Sequence, residues 1–117
     1  MSPVLPPVLP PVLPKILLDY FIADARRDSA AVAACFTPDG AVFDEGGVHR
    51  GHAAIAGWHA NAAARYATRT VPHAIDTQGT QCTVHAEVSG TFPGSPLTMA
   101  FTFTLAGAQL AGLAITA

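Results

Sequence analysis

The chain has 117 residues, enough for one domain, of which 50% are hydrophobic and 12% charged. That balance excludes a disordered chain, which needs few apolar and many charged residues. Six Lys and Arg against eight Asp and Glu give a net charge of −2, too little positive charge to neutralise a row of phosphates, so nucleic acid is not an expected partner.

Residues 3–14 repeat Val-Leu-Pro-Pro. Proline fixes φ and removes amide donors, so this leader is expected as extended polyproline II rather than helix or strand. It has no basic n-region and its apolar run is cut by prolines, unlike a secretory signal. Such an arm suits a proline-binding groove or a partner subunit; a loosely ordered leader is the simpler reading. The folded domain is expected over residues 15–117.

Residues 15–27 read as a first helix, with Leu17, Tyr20 and Phe21 on one face and Leu18, Ile22 and Ala25 beside them. Asp28 suits the N-cap of a short second helix ending near Cys35 and Phe36. Pro38-Asp39-Gly40 signals a turn, and Ala41 to Glu45 a strand with Val42 and Asp44 on one face, closed by Glu45-Gly46-Gly47. A third helix follows Gly51, from about His52 to Ala67, with Ile55, Trp58, Ala62 and Tyr66 along one stripe. Four strands complete the chain: 70–76, 82–92, 97–105 and 109–116. Pro93-Gly94-Ser95-Pro96 is expected as a tight hairpin. Helices gathered before an antiparallel sheet predict an α+β domain with the helices on one face.

No residue after Glu87 is charged or a histidine. Thirty residues of sheet without an ionisable side chain fit poorly with a solvent-facing surface, so both faces are expected to be covered, one by the helices and one by a second copy. A homodimer through the sheet is the expectation; a monomer with a Thr-rich wet face, Thr98, Thr102 and Thr104, is the alternative. No apolar run reaches the roughly 20 residues of a membrane span, so no membrane is expected as a partner. Cys35 and Cys82 are expected as buried small hydrophobes in a reducing, cytoplasmic setting. His49, His52 and His59 cluster in sequence, but no carboxylate is placed to complete a metal site with them, and none is expected. No nucleophile elbow, phosphate loop or dinucleotide fingerprint is present.

The stretch DYFIADARRDSAAVAACFTPDGAVFDEGG followed by RGHAAIAGW resembles the opening of the nuclear transport factor 2-like superfamily, in its SnoaL-like and ketosteroid-isomerase-like branch. The markers are an aromatic first helix, an Asp opening the second, Phe-x-x-Asp-Gly before the first strand, and Gly-x-x-x-Ile-x-x-Trp opening the third helix. The resemblance covers about residues 15–117. It implies a curved antiparallel sheet wrapped around N-terminal helices, a cone-shaped, cystatin-like α+β barrel with an apolar pocket at its wide end. From Tyr20 to Asp44 the sequence is similar to ketosteroid isomerase without a gap. Tyr20 then falls on the tyrosine that donates a hydrogen bond to the developing oxyanion, and Asp44 on the aspartate that moves the proton.

The departures are specific. The family's second oxyanion donor falls near Thr98, and two tyrosines that support the oxyanion tyrosine fall on Phe36 and His59. SnoaL-type cyclases carry their acid/base aspartate late in the chain, where this sequence has none. Steroid isomerisation is therefore not the expected native reaction. Phe36, Val42, Trp58, His59, His73 and Thr98 are the expected pocket residues around Asp44 and Tyr20, with His73 also readable as a structural histidine. The implied function is binding of a small apolar molecule, with cofactor-independent isomerisation or cyclisation by proton transfer next to a carbonyl. The alternative is a non-catalytic ligand-binding or dimerisation module; a protein-interaction module like the transport factor has only the proline-rich arm to support it.

Overall fold

A computed structural model of the chain describes residues 11–117. Most of the proline-rich arm lies outside the described residues. Its last four residues, 11–14, form no regular element, and Leu13 packs against the core. The elements are α1 (Lys15–Ala25), α2 (Ser29–Ala34), β1 (Phe36–Asp44), β2 (Gly47–Arg50), α3 (His52–Tyr66), β3 (Arg69–Gln78), β4 (Gln81–Ser89), β5 (Leu97–Ala106) and β6 (Gln109–Thr116).

The six strands form one curved, unclosed sheet in the order β2-β1-β6-β5-β4-β3. The expected all-antiparallel sheet needs one correction: β1 and β6 run parallel. The long crossover through α3 and three further strands allows this pairing, which a hairpin could not make. The sheet has six strands rather than the five expected. Glu45 and Gly46 both take positive φ, 50° and 77°, and join β1 to β2 in a two-residue hairpin with Asp44 opposite Gly47. Backbone of that hand matches the twist of the flanking strands. Pro38-Asp39-Gly40 is not a free turn but part of β1, at a register shift between Phe36 and Ala41. The connection from β4 to β5 is the seven-residue loop 90–96 rather than a tight hairpin. Gly90 sits against the Tyr66 carbonyl, where a Cβ would collide with it, and Thr91 donates its N–H to the same oxygen.

Asp28 caps α2, its carboxylate accepting from the Ala31 N–H at 3.0 Å. Leu17, Tyr20 and Phe21 of α1 are buried as their spacing predicts, whereas Leu18 and Ile22 remain 47% and 40% exposed. The core joins these α1 residues to Val32, Ile55 and the inward strand residues Val84, Phe101, Phe103 and Leu113. All three helices thus cover the concave face. On β5 the larger apolar side chains face them, and the threonines face outward. Cys35 and Cys82 are free and buried. Among the described residues no helix is long and apolar enough to cross a membrane.

Candidate functional site

Between the helices and the open end of the sheet lies a half-enclosed cavity of about 600 Å³, large enough for a small organic molecule. Tyr20 of α1 and Asp44, the last residue of β1, both line it. Trp58, Ala62 and Tyr66, the α3 stripe, form one wall, and Leu97, Met99 and Phe101 of β5 form another. Phe92, from the 90–96 loop, stands edge-on to Tyr66, the ring centres 6.0 Å apart, and closes one side.

Asp44 is held by α3: the Trp58 indole N–H donates to its Oδ2 at 3.0 Å. Tyr20 is 2% exposed and packs edge-on against Phe21, Phe36 and Phe103. Its hydroxyl has no hydrogen-bond partner among the described residues, although it borders the cavity. Burial, then the nearby Asp24, then Asp44 push the phenol well above its usual range, with a smaller push from Cys35. Tyr20 is therefore a neutral donor at any ordinary pH.

The remaining expected pocket residues divide. Trp58 and His59 line the cavity. Val42 and Phe36 are fully buried beneath it and belong to the core, and the Phe36 carbonyl is bonded to His52 Nε2 at 2.8 Å. Thr98 and His73 are corrections. Thr98 is exposed on the outer face opposite Glu87, because its neighbours Leu97 and Met99 take the inward positions. His73 is exposed at the register shift between Pro72 and Ala74. A proline cannot donate to the ladder, and the irregularity it brings turns the following residue away from the cavity.

Two participants escape the sequence reading. Asp24 lies one helical turn beyond Tyr20 and so shares its face. It meets His59, whose Nε2 is 2.7 Å from Asp24 Oδ1 and whose Nδ1 is 2.7 Å from Ser29 Oγ. Asp24 thus serves His59 alone, and among the described residues no three potential ligands converge on a metal position. His59 is 4% exposed, so this network ties α1, α2 and α3 together behind the cavity. His49 is the second: it sits on β2 opposite Val42, lines the cavity, and its ring centre is 6.2 Å from that of Trp58. The alternation of β2 would have placed it had the hairpin been foreseen.

A neutral ligand carbonyl can accept from Tyr20 while Asp44 offers a proton acceptor, all within one largely apolar hollow. The second oxyanion donor is not replaced from the Thr98 position.

Comparison with known proteins agrees with the fold. The family model for the SnoaL-like domain matches residues 17–113. Among solved structures, a candidate polyketide cyclase from Sinorhizobium meliloti is 38% identical, with a TM-score of 0.86 over 89% of this chain and 95% of that one. A protein of ketosteroid isomerase-like fold from Catenulispora acidiphila, in complex with trimethylamine, is 21% identical, with a TM-score of 0.81 over 91% of this chain and 87% of that one. SalBIII, an epoxide hydrolase/cyclase-like enzyme of pyran ring formation in the polyether salinomycin, is 18% identical, with a TM-score of 0.74 over 86% of each chain. The last two bear on the fold alone. No curated protein sequence matches the chain. A matched span of nearly the whole folded region and a relative of 38% identity lead to one conclusion: the chain belongs to the SnoaL-like domain family.

Proposed function

We propose that the cavity binds a small apolar carbonyl compound and moves a proton at the carbon next to that carbonyl, without a cofactor, as an isomerase or cyclase. The observation that carries this reading is Tyr20, a residue only 2% exposed whose hydroxyl has no hydrogen-bond partner among the described residues and borders the cavity that also holds Asp44. A carboxylate oxygen of Asp44 takes the proton from the α-carbon. The C–H electron pair becomes the double bond of an enolate, and the carbonyl oxygen takes the charge against the Tyr20 O–H. Return of the proton at another carbon completes an isomerisation; attack of the enolate carbon on a second carbonyl closes a ring, and the alkoxide so formed takes the proton back from Asp44.

The experiment needs no native substrate. Hydrogen–deuterium exchange of 2-tetralone in heavy water, followed by proton NMR, reads proton abstraction beside a ketone directly. Tyr20→Phe keeps the buried ring and is expected to lower the catalysed exchange by about two to three decades. An unchanged rate removes Tyr20 from the mechanism. No acceleration by the unaltered protein leaves the non-catalytic binder, which the lack of a second oxyanion donor favours.

We further propose that two copies pair through the outer face of the sheet. Thr98, Ala100, Thr102 and Ala114 form a patch of small side chains there, bordered on β4 by His85 and Glu87 and continued on the other side by Phe43 and Val48, which are 45% and 56% exposed. Sedimentation equilibrium is expected to give twice the 12.0 kDa chain mass, and Thr102→Lys the single mass. A monomer at micromolar concentration contradicts the pairing.

A further inference from the structure

The cavity walls carry Asp24, Asp44 and Glu45 against one guanidinium, Arg65, which lies 5.0 Å over the Tyr66 ring. Two adjacent residues of α3 hold the aspartates: Trp58 binds Asp44 through Oδ2, and His59 binds Asp24 through Oδ1. Each tether occupies one oxygen. Asp24 Oδ2 and Asp44 Oδ1 have no hydrogen-bond partner among the described residues. His59 Nδ1 lies 2.7 Å from Ser29 Oγ, so the ring has one neighbour on each nitrogen and leaves the second Asp24 oxygen without a protein partner among the described residues.

A second observation is independent of the acidic groups. Tyr20 is 2% exposed, and its hydroxyl, bordering the cavity, has no hydrogen-bond partner among the described residues. Trp58, Tyr66, Phe92 and Phe101 also line the cavity with aromatic rings, and ring faces attract cations.

We propose that the molecule taken by this cavity carries a protonated nitrogen, seated between Asp24 and Asp44 against the aromatic wall. The inference rests on the cavity being the ligand site and adds the chemical class of the ligand: an amine-bearing carbonyl compound. It also resolves an electrostatic conflict in the proposed chemistry. An enolate forming at Tyr20 develops in a buried position beside the Asp24 carboxylate once Asp44 has taken the proton; burial, then Asp24, also push the phenol upward. A ligand cation beside Asp24 offsets that field where the oxygen gains charge.

The test compares choline with 3,3-dimethylbutan-1-ol, which has the same shape but a carbon in place of the charged nitrogen. Trp58 is the only tryptophan in the chain, so its indole N–H signal in a nitrogen–proton NMR spectrum reports occupancy at the site. Nile red, a neutral apolar dye, reports separately whether the cavity takes ligands at all. At low salt choline is expected to bind about tenfold more tightly than the alcohol. That preference is expected to fall below about threefold in Asp24→Asn or, should that variant lose its fold with the His59 contact, in Asp44→Asn. Equal or weaker binding of choline, with Nile red still bound, overturns the cationic ligand and leaves the cavity reading intact. A preference that survives in both variants also overturns it. Failure of all three molecules to bind removes the cavity reading and this inference together.

Discussion

Asp44→Asn is expected to reduce catalysed exchange of 2-tetralone by about two to four decades, the usual worth of a positioned general base. The amide is nearly isosteric, and its oxygen still accepts from the Trp58 indole N–H, which holds the native side chain at 3.0 Å. The β1–β2 hairpin, the Trp58 rotamer and the cavity shape are therefore kept, as far-UV circular dichroism and the indole N–H signal would confirm. What is lost is an oxygen able to take a proton. Expressed as a barrier, the change is about 3–5 kcal/mol. A rate within about twofold of the unaltered protein would remove Asp44 as the base and the proposed mechanism with it, because a positioned base is worth at least about two decades.

Phe103→Ala is expected to destabilise the fold by about 3–5 kcal/mol, read as a shift of the urea midpoint at unchanged slope. Phe103 is fully buried on β5. Its ring centre lies 5.1 Å from Tyr20 and 5.8 Å from Phe21, both edge-on, and it stacks at 6.4 Å on Phe101. The four rings are the seam between α1 and the sheet. Removing one strips its own burial, two edge-to-face contacts and one stacked contact, and opens a void beside the phenol. Leu105→Ala, two residues on and only partly buried beyond a register shift, provides the contrast and should cost clearly less. A loss below about 1 kcal/mol for Phe103→Ala would mean that α1 is held by other contacts.

These aromatic positions were legible because periodicity reports burial. Leu17, Tyr20 and Phe21 recur at helical spacing, and Met99, Phe101 and Phe103 alternate at strand spacing. α3 was legible for the same reason, and its stripe of Trp58, Ala62 and Tyr66 forms a cavity wall. The hairpin of β1 and β2 escaped because a four-residue strand offers two side chains per face, too few to show a pattern, while Glu45-Gly46-Gly47 reads as an ending. The parallel pairing of β1 with β6 joins segments about seventy residues apart, a separation that local propensity does not encode. Thr98 rested on resemblance, and the alternation of β5 outranked it: a threonine between Leu97 and Met99 must face the other way. The Asp24–His59 contact bridges thirty-five positions and two helices. Its only local trace was the one-turn spacing from Tyr20 to Asp24.

The sheet ends on two strands with an unpaired side, β2 and β3. β2 has only four residues, and β3 carries Pro72, a register break after it, and the charged Arg69 and Asp76. Such edges offer no long flat ladder for another chain to extend. At high concentration this protein should therefore resist growing into fibrillar stacks, and crowding should favour closed assemblies of fixed size over open-ended ones.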